Sequence, residues 1–140
     1  GVVLSPEGGM LGMLLPQFKL GLGGAVGSGK MRVSWISRHD LVRLIAFALK
    51  SDEVRGPLNA VAPNPVTNKV FANTLGEVLQ RPTVLPAPAF AVKAAFGQMA
   101  EETVFSDVEV IPQKALQHGF SFDHPNLEAA LRSELNLPAA

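Results

Sequence analysis

The sequence predicts an α+β fold in which several helices pack on a few short strands. Three observations predict it. Apolar residues recur at helical spacing in several stretches, whereas other short stretches alternate apolar and polar residues. Hydrophobic residues make up 47% of the 140 residues and charged residues 17%, which is typical of a globular domain. Strands and helices do not alternate regularly, so we do not expect a complete doubly wound parallel sheet.

The N-terminal stretch Val2–Ser5 is apolar and β-branched and predicts a buried strand. A turn follows at Pro6–Gly9, and Met10–Leu15 predicts a short helix that Pro16 should end. A glycine-rich connection then covers Gly21–Gly29.

The stretch Met31–Ile36 alternates and predicts a second strand. Ser37 followed by Asp40 has the spacing of a capping box, and it predicts a helix that runs to about Lys50. We expect one buried stripe on this helix, made of Leu41, Leu44, Ile45, Ala48 and Leu49. Leu58–Ala62 predicts a further short strand.

Thr67 or Asn68 should cap the next helix, which Arg81-Pro82 ends. The buried stripe expected there is Val70, Phe71, Leu75, Val78 and Leu79. The proline-rich stretch Thr83–Ala89 should be extended.

Four more helices are predicted after residue 89. Phe90–Phe96 should be helical with Gly97 as its C-cap, and Met99–Phe105 should form a short helix. A helix should begin at Pro112 and end at Gly119. For the last helix, the sequence predicts Asp123 or His124 as the cap, Pro125 as the first residue, and inward positions at Leu127, Ala130, Leu131 and Leu135.

The composition argues against several classes of protein. The formal net charge is zero, whereas nucleic-acid binders and proteins held to anionic membranes by charge normally carry a basic excess. The chain has no Cys, which excludes disulfides and thiolate chemistry, and no apolar run reaches the roughly 18 residues of a membrane span. We expect a cytoplasmic protein, or one of an organelle stroma.

The segment from Gly24 to Lys30, GAVGSGK, fits seven positions of the phosphate-binding pattern G-x-x-x-x-G-K-[ST]. The eighth position is Met31, which cannot bind magnesium, and the residues that follow predict a strand rather than a helix. We therefore interpret the segment as a glycine-rich connection. Its backbone N–H groups and Lys30 could still contact an anionic ligand.

Two other residues are candidates for binding a ligand. Trp35 is the only Trp and is favoured as a core residue, with the wall of a cleft as the alternative. Asn59 lies in a stretch predicted to be a buried strand, so it should either brace a loop or face a ligand.

The polar residues around the predicted start of the second helix do not predict catalysis. Ser37, His39 and Asp40 contain the residue types of a hydrolase triad but are too close in sequence to be expected in that geometry. His39, His118 and His124 match no metal-ligand spacing, and surface or capping roles are favoured.

The order of several short motifs resembles the C-terminal portion of the epimerase-family proteins of the extended or atypical short-chain dehydrogenase/reductase superfamily. The motifs are GVVLS-x-x-GG (1–9), P-x-F-x-L-G-L-GG (16–24), G-x-G-K with S-W-I (27–36), G-x-x-N-x-x-A-P (56–63), T-N-x-x-F-A-x-x-L (67–75), P-x-K-x-L-x-x-G-F (112–120) and P-x-L-x-x-A-L (125–131). Within them, Ser37 stands where the family has His, and Met31 where Gln is usual.

The resemblance implies that residues 1–140 form a single substrate-side domain whose Rossmann domain is absent, and that Gly1–Ser5 is a remnant strand of the Rossmann sheet. It implies a parent that binds NAD(P) and acts on a small molecule, a nucleotide sugar, as an epimerase or reductase. This chain alone should be inactive, with no bound cofactor or metal and no catalytic residue. Lys30, Trp35 and Asn59 would line the substrate cleft. We also expect the chain to self-associate through an exposed apolar face. The alternative is a non-catalytic binding or regulatory protein that keeps the fold.

Overall fold

The computed structural model describes residues 1–87, 97 and 107–140. The described part of the chain consists of short strands and surrounding helices, so the α+β prediction is confirmed. Among these residues, no helix is both long enough and apolar enough to cross a membrane. The predicted helices Phe90–Phe96 and Met99–Phe105 lie outside the described residues, although Gly97 itself has the positive φ of 55° expected for a C-cap glycine.

Two parallel strands form the centre of the fold. Strand β1, Val2–Leu4, pairs with β3, Trp35–Ser37, with Val2 opposite Trp35 and Leu4 opposite Ser37. The Val2 N–H donates to the Ser34 carbonyl. In a parallel pair only every second residue bonds to the neighbouring strand, so the backbone N–H and C=O of Val3 point away from β3. In the described residues no strand pairs with that side of β1, which is therefore an open sheet edge.

The two faces of this strand pair are covered by different helices. On one face, Leu4 and Trp35 belong to the larger core, which includes helix α1 (Gly9–Lys19), helix α3 (Asn68–Leu79) and helix α5 (Leu127–Glu134). On the other face, Val3 and Ile36 belong to a smaller core with helix α2 (Arg38–Lys50) and helix α4 (Gln113–Gln117). A parallel pair covered on both faces is how strands inside an α/β sheet are arranged.

A second, antiparallel pair joins β2, Arg32–Val33, to β4, Val66–Thr67. It lies between the glycine-rich connection and the start of α3, which Thr67 caps through its hydroxyl and the N–H of Val70. Helix α3 ends at Leu79, and Gln80 takes the left-handed conformation with φ 55°. The predicted cap at Thr67 and the predicted end before Arg81 are thus confirmed.

The predicted strand Met31–Ile36 is split into β2 and β3, which belong to different sheets. The break falls at Ser34, whose hydroxyl donates to the Val108 carbonyl and accepts from the Val110 N–H. A single side chain thus pairs with residues more than 70 positions away, and alternation alone could not indicate that.

Helix α1 is longer than predicted because it continues through Pro16. A proline removes one helical hydrogen bond and crowds the carbonyl four residues earlier, here that of Gly12. Leu15 and Phe18, on either side of Pro16, are both buried, and their packing maintains the helix. The prediction that Pro16 ends the helix was wrong.

Two further predictions need correction. Leu58–Ala62 is not a strand, although the Ala62 N–H donates to the Trp35 carbonyl at 2.6 Å. The last helix begins at Leu127 with Asn126 in the cap position, not Asp123 or His124, because those two residues are engaged with α2. Pro125, predicted as the first helical residue, lies before the cap and outside the helix. Of the predicted inward residues, Leu127, Ala130 and Leu131 are buried, and Leu135 is partly buried at the C-cap.

The predicted buried stripes are only partly correct. In α2, Leu44 is buried and Leu41 is partly buried, but Ile45 and Leu49 are exposed. In α3, Val70 is exposed, while Phe71, Leu75 and Val78 are buried. The helix predicted from Pro112 to Gly119 is present but shorter, Gln113–Gln117: Pro112 is in the cap position and not the first helical residue, and Gly119, at φ 84°, lies beyond the helix.

Candidate functional site

The glycine loop, residues 21–31, closes the N-terminus of α3. The N–H groups of Asn68 and Lys69 donate to the carbonyls of Met31 (2.7 Å) and Gly29 (3.0 Å). In return, the Asn68 side-chain carbonyl accepts the Val26 N–H at 2.6 Å. The arrangement is the opposite of a phosphate-binding loop, because carbonyl oxygens of the loop occupy the positive end of the helix where a phosphate would bind.

Two N–H groups of the GAVGSGK segment also have acceptors within the chain. Gly27 N–H donates to the Ala87 carbonyl, and Gly29 N–H donates to the Val26 carbonyl. Ala87 N–H donates back to Ala25 at 2.9 Å. These N–H groups are not available to bind an anion, and β2 rather than a helix follows the loop. GAVGSGK thus lies in the connection between α1 and β2, and it does not have the arrangement of a phosphate-binding loop.

Close packing explains why the loop needs glycine at two positions. A Cβ on Gly24 would lie 1.9 Å from the Leu85 carbonyl oxygen, which leaves no room for any side chain. Gly29 has φ 68°, and a Cβ there would lie 3.0 Å from the Cβ of Lys69. The loop is therefore fixed against the chain on both sides.

The three residues predicted to bind a ligand lie in different environments. Lys30 is exposed at the end of the glycine loop. Trp35 is completely buried in the larger core, and its indole N–H donates to the Asn64 carbonyl at 3.0 Å. Asn59 is exposed in a loop, not buried in a strand, and donates to the Ile111 carbonyl at 3.4 Å. In the described part of the chain no hydrogen bond joins any two of them.

A polar cluster at the N-terminus of α2 was not predicted as a unit. We call it the Asp40 cluster; its members are Ser37, His39, Asp40, Arg43, Asp123 and His124. Asp40 is completely buried and accepts hydrogen bonds from the N–H groups of Asp123 (3.0 Å) and His124 (2.9 Å) and from the Arg43 guanidinium (2.8 Å). Asp40 thereby fastens residues 123 and 124 to α2.

Asp40 is held in its charged form. Burial alone would raise its pKa, but the two backbone N–H groups, the Arg43 guanidinium and the charge of His124 together hold the pKa of Asp40 below its usual range. Because several donors converge on one carboxylate, the buried charge is fully compensated.

The remaining members of the cluster pair with one another. His39 Nε2 lies 2.8 Å from an Asp123 carboxylate oxygen, and the rings of His39 and His124 are 5.1 Å apart. His39, Asp40 and Asp123 could each offer one ligand atom to a metal ion, and these three atoms lie within 4.8 Å of one another. Arg43, however, donates to Asp40 and lies 3.2 Å from Asp123, so a cation already bridges the two carboxylates. The geometry is that of an ion-pair network.

Ser37 lies 3.3 Å from His124 Nδ1, but it does not have the position of a nucleophile. The Ser37 side chain is completely buried and accepts the Asp40 N–H at 3.0 Å, which makes it the predicted cap of α2. A substrate could not reach it. The sequence signal for this cluster was the pair Ser37 and Asp40; the contribution of Asp123 and His124 depends on tertiary contacts.

An open cavity of about 400 Å³ lies beside α5, next to the Asp40 cluster. Its lining includes His124, Asn126, Arg132 and Leu137. Arg132 donates to Glu128 at 2.9 Å and to the Pro138 carbonyl at 3.3 Å. The positive charge in the cavity is therefore already neutralised within the chain.

The comparisons with known proteins agree with this fold. Residues 87–134 match a family model described as a domain of unknown function, DUF1731. An epimerase family protein of Mycobacterium bovis is 44% identical over 131 residues, which cover 94% of this chain and 44% of that protein. The crystal structure of human epimerase family protein SDR39U1, isoform 2, with NADPH superposes with a TM-score of 0.90 at 40% identity, covering 98% of this chain and 47% of that one. Over nearly its whole length the chain is therefore similar to one part of the epimerase family proteins.

Compared with these proteins, the chain corresponds to the C-terminal part of the fold and spans about half the length of the relatives it matches. A more distant structure is a nucleoside-diphosphate sugar epimerase from Corynebacterium glutamicum, with a TM-score of 0.72 and 31% identity over 96% of this chain and 25% of that one. The predicted resemblance and the predicted fold are confirmed.

Proposed function

We propose that the chain is the substrate-side part of an NAD(P)-dependent epimerase or reductase that acts on a nucleotide sugar, and that it turns nothing over by itself. The observation that carries the proposal is the parallel pair β1–β3, covered by helices on both faces and open at β1. A parallel sheet of two strands is smaller than parallel sheets normally are, so the open edge is the place where a larger sheet would continue.

The glycine loop does not have the arrangement of a phosphate site for the dinucleotide. The glycine loop directs carbonyls toward the N-terminus of α3, and the N–H groups of Val26, Gly27 and Gly29 have acceptors within the chain. NADPH is present in the human structure, which is more than twice as long as the matched part. We therefore assign cofactor binding to a partner half that pairs with the open edge of β1.

Lys30 is the candidate that best fits a substrate contact. Its side chain is exposed, and its backbone belongs to a loop fixed by Asn68 and by residue 87. A lysine on a fixed loop suits an anionic diphosphate. Trp35 would act from the core by supporting the strand, and Asn59 by holding the segment at Ile111. The substrate class is suggested by the Corynebacterium protein, which is a nucleoside-diphosphate sugar epimerase.

The test mixes this chain with the separately produced N-terminal half of the Mycobacterium bovis relative. We expect a stable complex by size exclusion, and NADPH binding by the added half but not by this chain alone. Val3→Pro should prevent the complex while the chain stays folded by circular dichroism, because the Val3 N–H points away from β3. Equal binding by wild type and Val3→Pro would contradict the assignment of the edge.

A non-catalytic binding protein with the same fold is the second candidate. It is favoured by one observation: Ser37, at the position where the family has His, is buried and used as a helix cap. Assays of the complex with NADPH and a panel of nucleotide sugars distinguish the two. Binding of a sugar without any change in NADPH absorbance or sugar identity would favour the second candidate. The cytoplasmic location stays a prediction.

A further inference from the structure

The open cavity beside α5 takes no part in the proposed function, although it has the size of a ligand site. Its volume is about 400 Å³, at the small end of the range for sites that bind small molecules. Residues of α5 and of the segments on either side of it line the cavity, among them His124, Asn126, Glu128, Ala129, Arg132 and Ser133. The lining joins apolar surface with a few polar groups, so its chemistry indicates which ligand it fits.

An ion pair in the lining favours a ligand without net charge. Arg132 Nε donates to the Glu128 carboxylate at 2.9 Å, and Arg132 Nη1 donates to the Pro138 carbonyl at 3.3 Å. An anion bound beside Arg132 would also lie beside the Glu128 carboxylate, and a cation beside Glu128 would also lie beside the guanidinium, so the attraction is largely cancelled in both cases. Hydrogen bonding is still available, because these two bonds use two of the five N–H groups of the guanidinium.

His124 supplies a hydrogen-bond donor whose proton is positioned by Ser37. Ser37 Oγ accepts the Asp40 N–H at 3.0 Å and lies 3.3 Å from His124 Nδ1. Ser37 is completely buried, and a buried hydroxyl normally donates its proton to a partner. Among the described residues that partner is Nδ1, so we assign Nδ1 as the acceptor and place the proton of the neutral ring on Nε2. The Nε2–H group is then a donor for a ligand in the cavity that His124 lines.

The other lining residues fit a molecule that carries several hydroxyl groups. Ser133 is exposed and its hydroxyl can both donate and accept, while Asn126 is exposed and its amide can do the same. Ala129 and Leu137 add apolar surface. A sugar hydroxyl also donates and accepts at one atom, and the C–H groups of a sugar ring are apolar. A sugar therefore matches both the polar and the apolar part of the lining.

We propose that the cavity beside α5 binds a small uncharged polyhydroxyl molecule of the size of a monosaccharide. Its hydroxyls would bond to the Arg132–Glu128 pair and to His124 Nε2–H, and its C–H surface would lie against Ala129 and Leu137. The proposal does not rest on the proposed enzymatic function, because it concerns a free sugar and this chain alone. The cavity is open to solvent and offers few polar groups, so we expect a dissociation constant on the order of 1 mM.

An NMR titration of the ¹⁵N-labelled chain with D-glucose tests the site. We expect saturable shifts of the backbone amide signals of residues 126–133 and 137. Gluconate, which carries a carboxylate, should bind at least about fivefold more weakly, because its charge would lie beside Glu128. The absence of shifts up to ~100 mM glucose, shifts spread evenly over the chain, or tighter binding of gluconate would overturn the proposal.

A substitution that fills the cavity provides the matched comparison. Ala129 is an exposed residue of α5 in the lining, and Ala129→Trp would place a large side chain where the sugar should bind. We expect glucose binding to weaken at least about tenfold. Ala46→Trp is the control, since Ala46 is also an exposed alanine on a helix, α2, and does not line the cavity. Unchanged binding by Ala129→Trp, or equal weakening by both variants, would contradict the site.

The side-chain nitrogen signals of His124 test the donor assignment. Long-range ¹H–¹⁵N spectra distinguish a ring that carries its proton on Nε2 from one that carries it on Nδ1. We expect the proton of the neutral ring on Nε2, and a change in the Nε2 signal as glucose binds. A proton on Nδ1, or an Nε2 signal that stays unchanged at saturating glucose, would overturn the proposed arrangement.

Discussion

Two helix N-termini in this chain, those of α2 and α3, are satisfied by different kinds of groups. At α3 the partners are neutral: two backbone carbonyls, the Thr67 hydroxyl and the amide of Asn68. At α2, Ser37 caps Asp40, the carboxylate of Glu134 accepts the His39 N–H, and Asp40 gathers donors from a distant segment. Charged groups thus stabilise the N-terminus of α2, whereas neutral groups and close backbone packing stabilise that of α3. Changes of pH and substitutions should therefore affect the stability of the two helix ends differently.

Asp40→Ala should cause the largest loss. It would leave the N–H groups of Asp123 and His124 without an acceptor and the Arg43 guanidinium without its buried partner. Removing one side of a buried charged pair costs about 3–5 kcal/mol. Urea unfolding should show this loss in the free energy of unfolding, and a loss below about 1 kcal/mol would mean that water replaces the carboxylate.

The stabilisation at the N-terminus of α2 should also decrease at acidic pH. Because the pKa of Asp40 is lower in the folded than in the unfolded chain, its charge stabilises the fold above about pH 4, and this stabilisation is lost as the pH falls through the lower, folded value. The pKa of Asp107 is also lowered, by the Arg32 N–H and charge, so the wild-type profile contains both groups.

The difference between wild type and Asp40→Asn isolates the Asp40 contribution. We expect the Asn variant to be less stable at neutral pH, with the gap narrowing as the pH falls below 4. If the free energies of unfolding of the wild type and Asp40→Asn differed by the same amount down to the lowest pH, the charge of Asp40 would contribute nothing to stability.

Gly24→Ala tests the packing of the glycine loop, on the α3 side of the comparison. The added Cβ would lie 1.9 Å from the Leu85 carbonyl oxygen, so the backbone must shift. Overpacking of this kind costs about 1–3 kcal/mol. Gly8→Ala is the matched control, because nothing lies within 4 Å of a Cβ built there. Thermal unfolding should separate the two variants; equal stability would mean that the loop is free to move.

These two ends also show how far sequence could predict the structure. The caps at Ser37 and Thr67 were predicted because a cap needs only one side chain and its own helix, both local in sequence. The partners of Asp40 were not, because Asp123 and His124 lie more than 80 residues away. Asn59 was placed in a buried strand because its neighbours are apolar, whereas it lies exposed in a loop and its side-chain amide donates to the carbonyl of Ile111, 52 residues away.

Asn68→Ala should have the smallest effect. It removes the acceptor of the Val26 N–H, a single neutral hydrogen bond whose loss costs about 1 kcal/mol. The carbonyls of Met31 and Gly29 would still satisfy the helix end, so α3 should stay intact while the loop exchanges faster. Hydrogen exchange should accelerate at Val26 and Gly27, and Asn68→Asp, which keeps the acceptor, should restore protection. Exchange that increases along α3 instead would show that Asn68 supports the helix and not the loop. The stability of Asn68→Ala should depend on pH in the same way as that of the wild type, because the lost hydrogen bond involves no charge. Asp40→Asn should differ from the wild type in this respect.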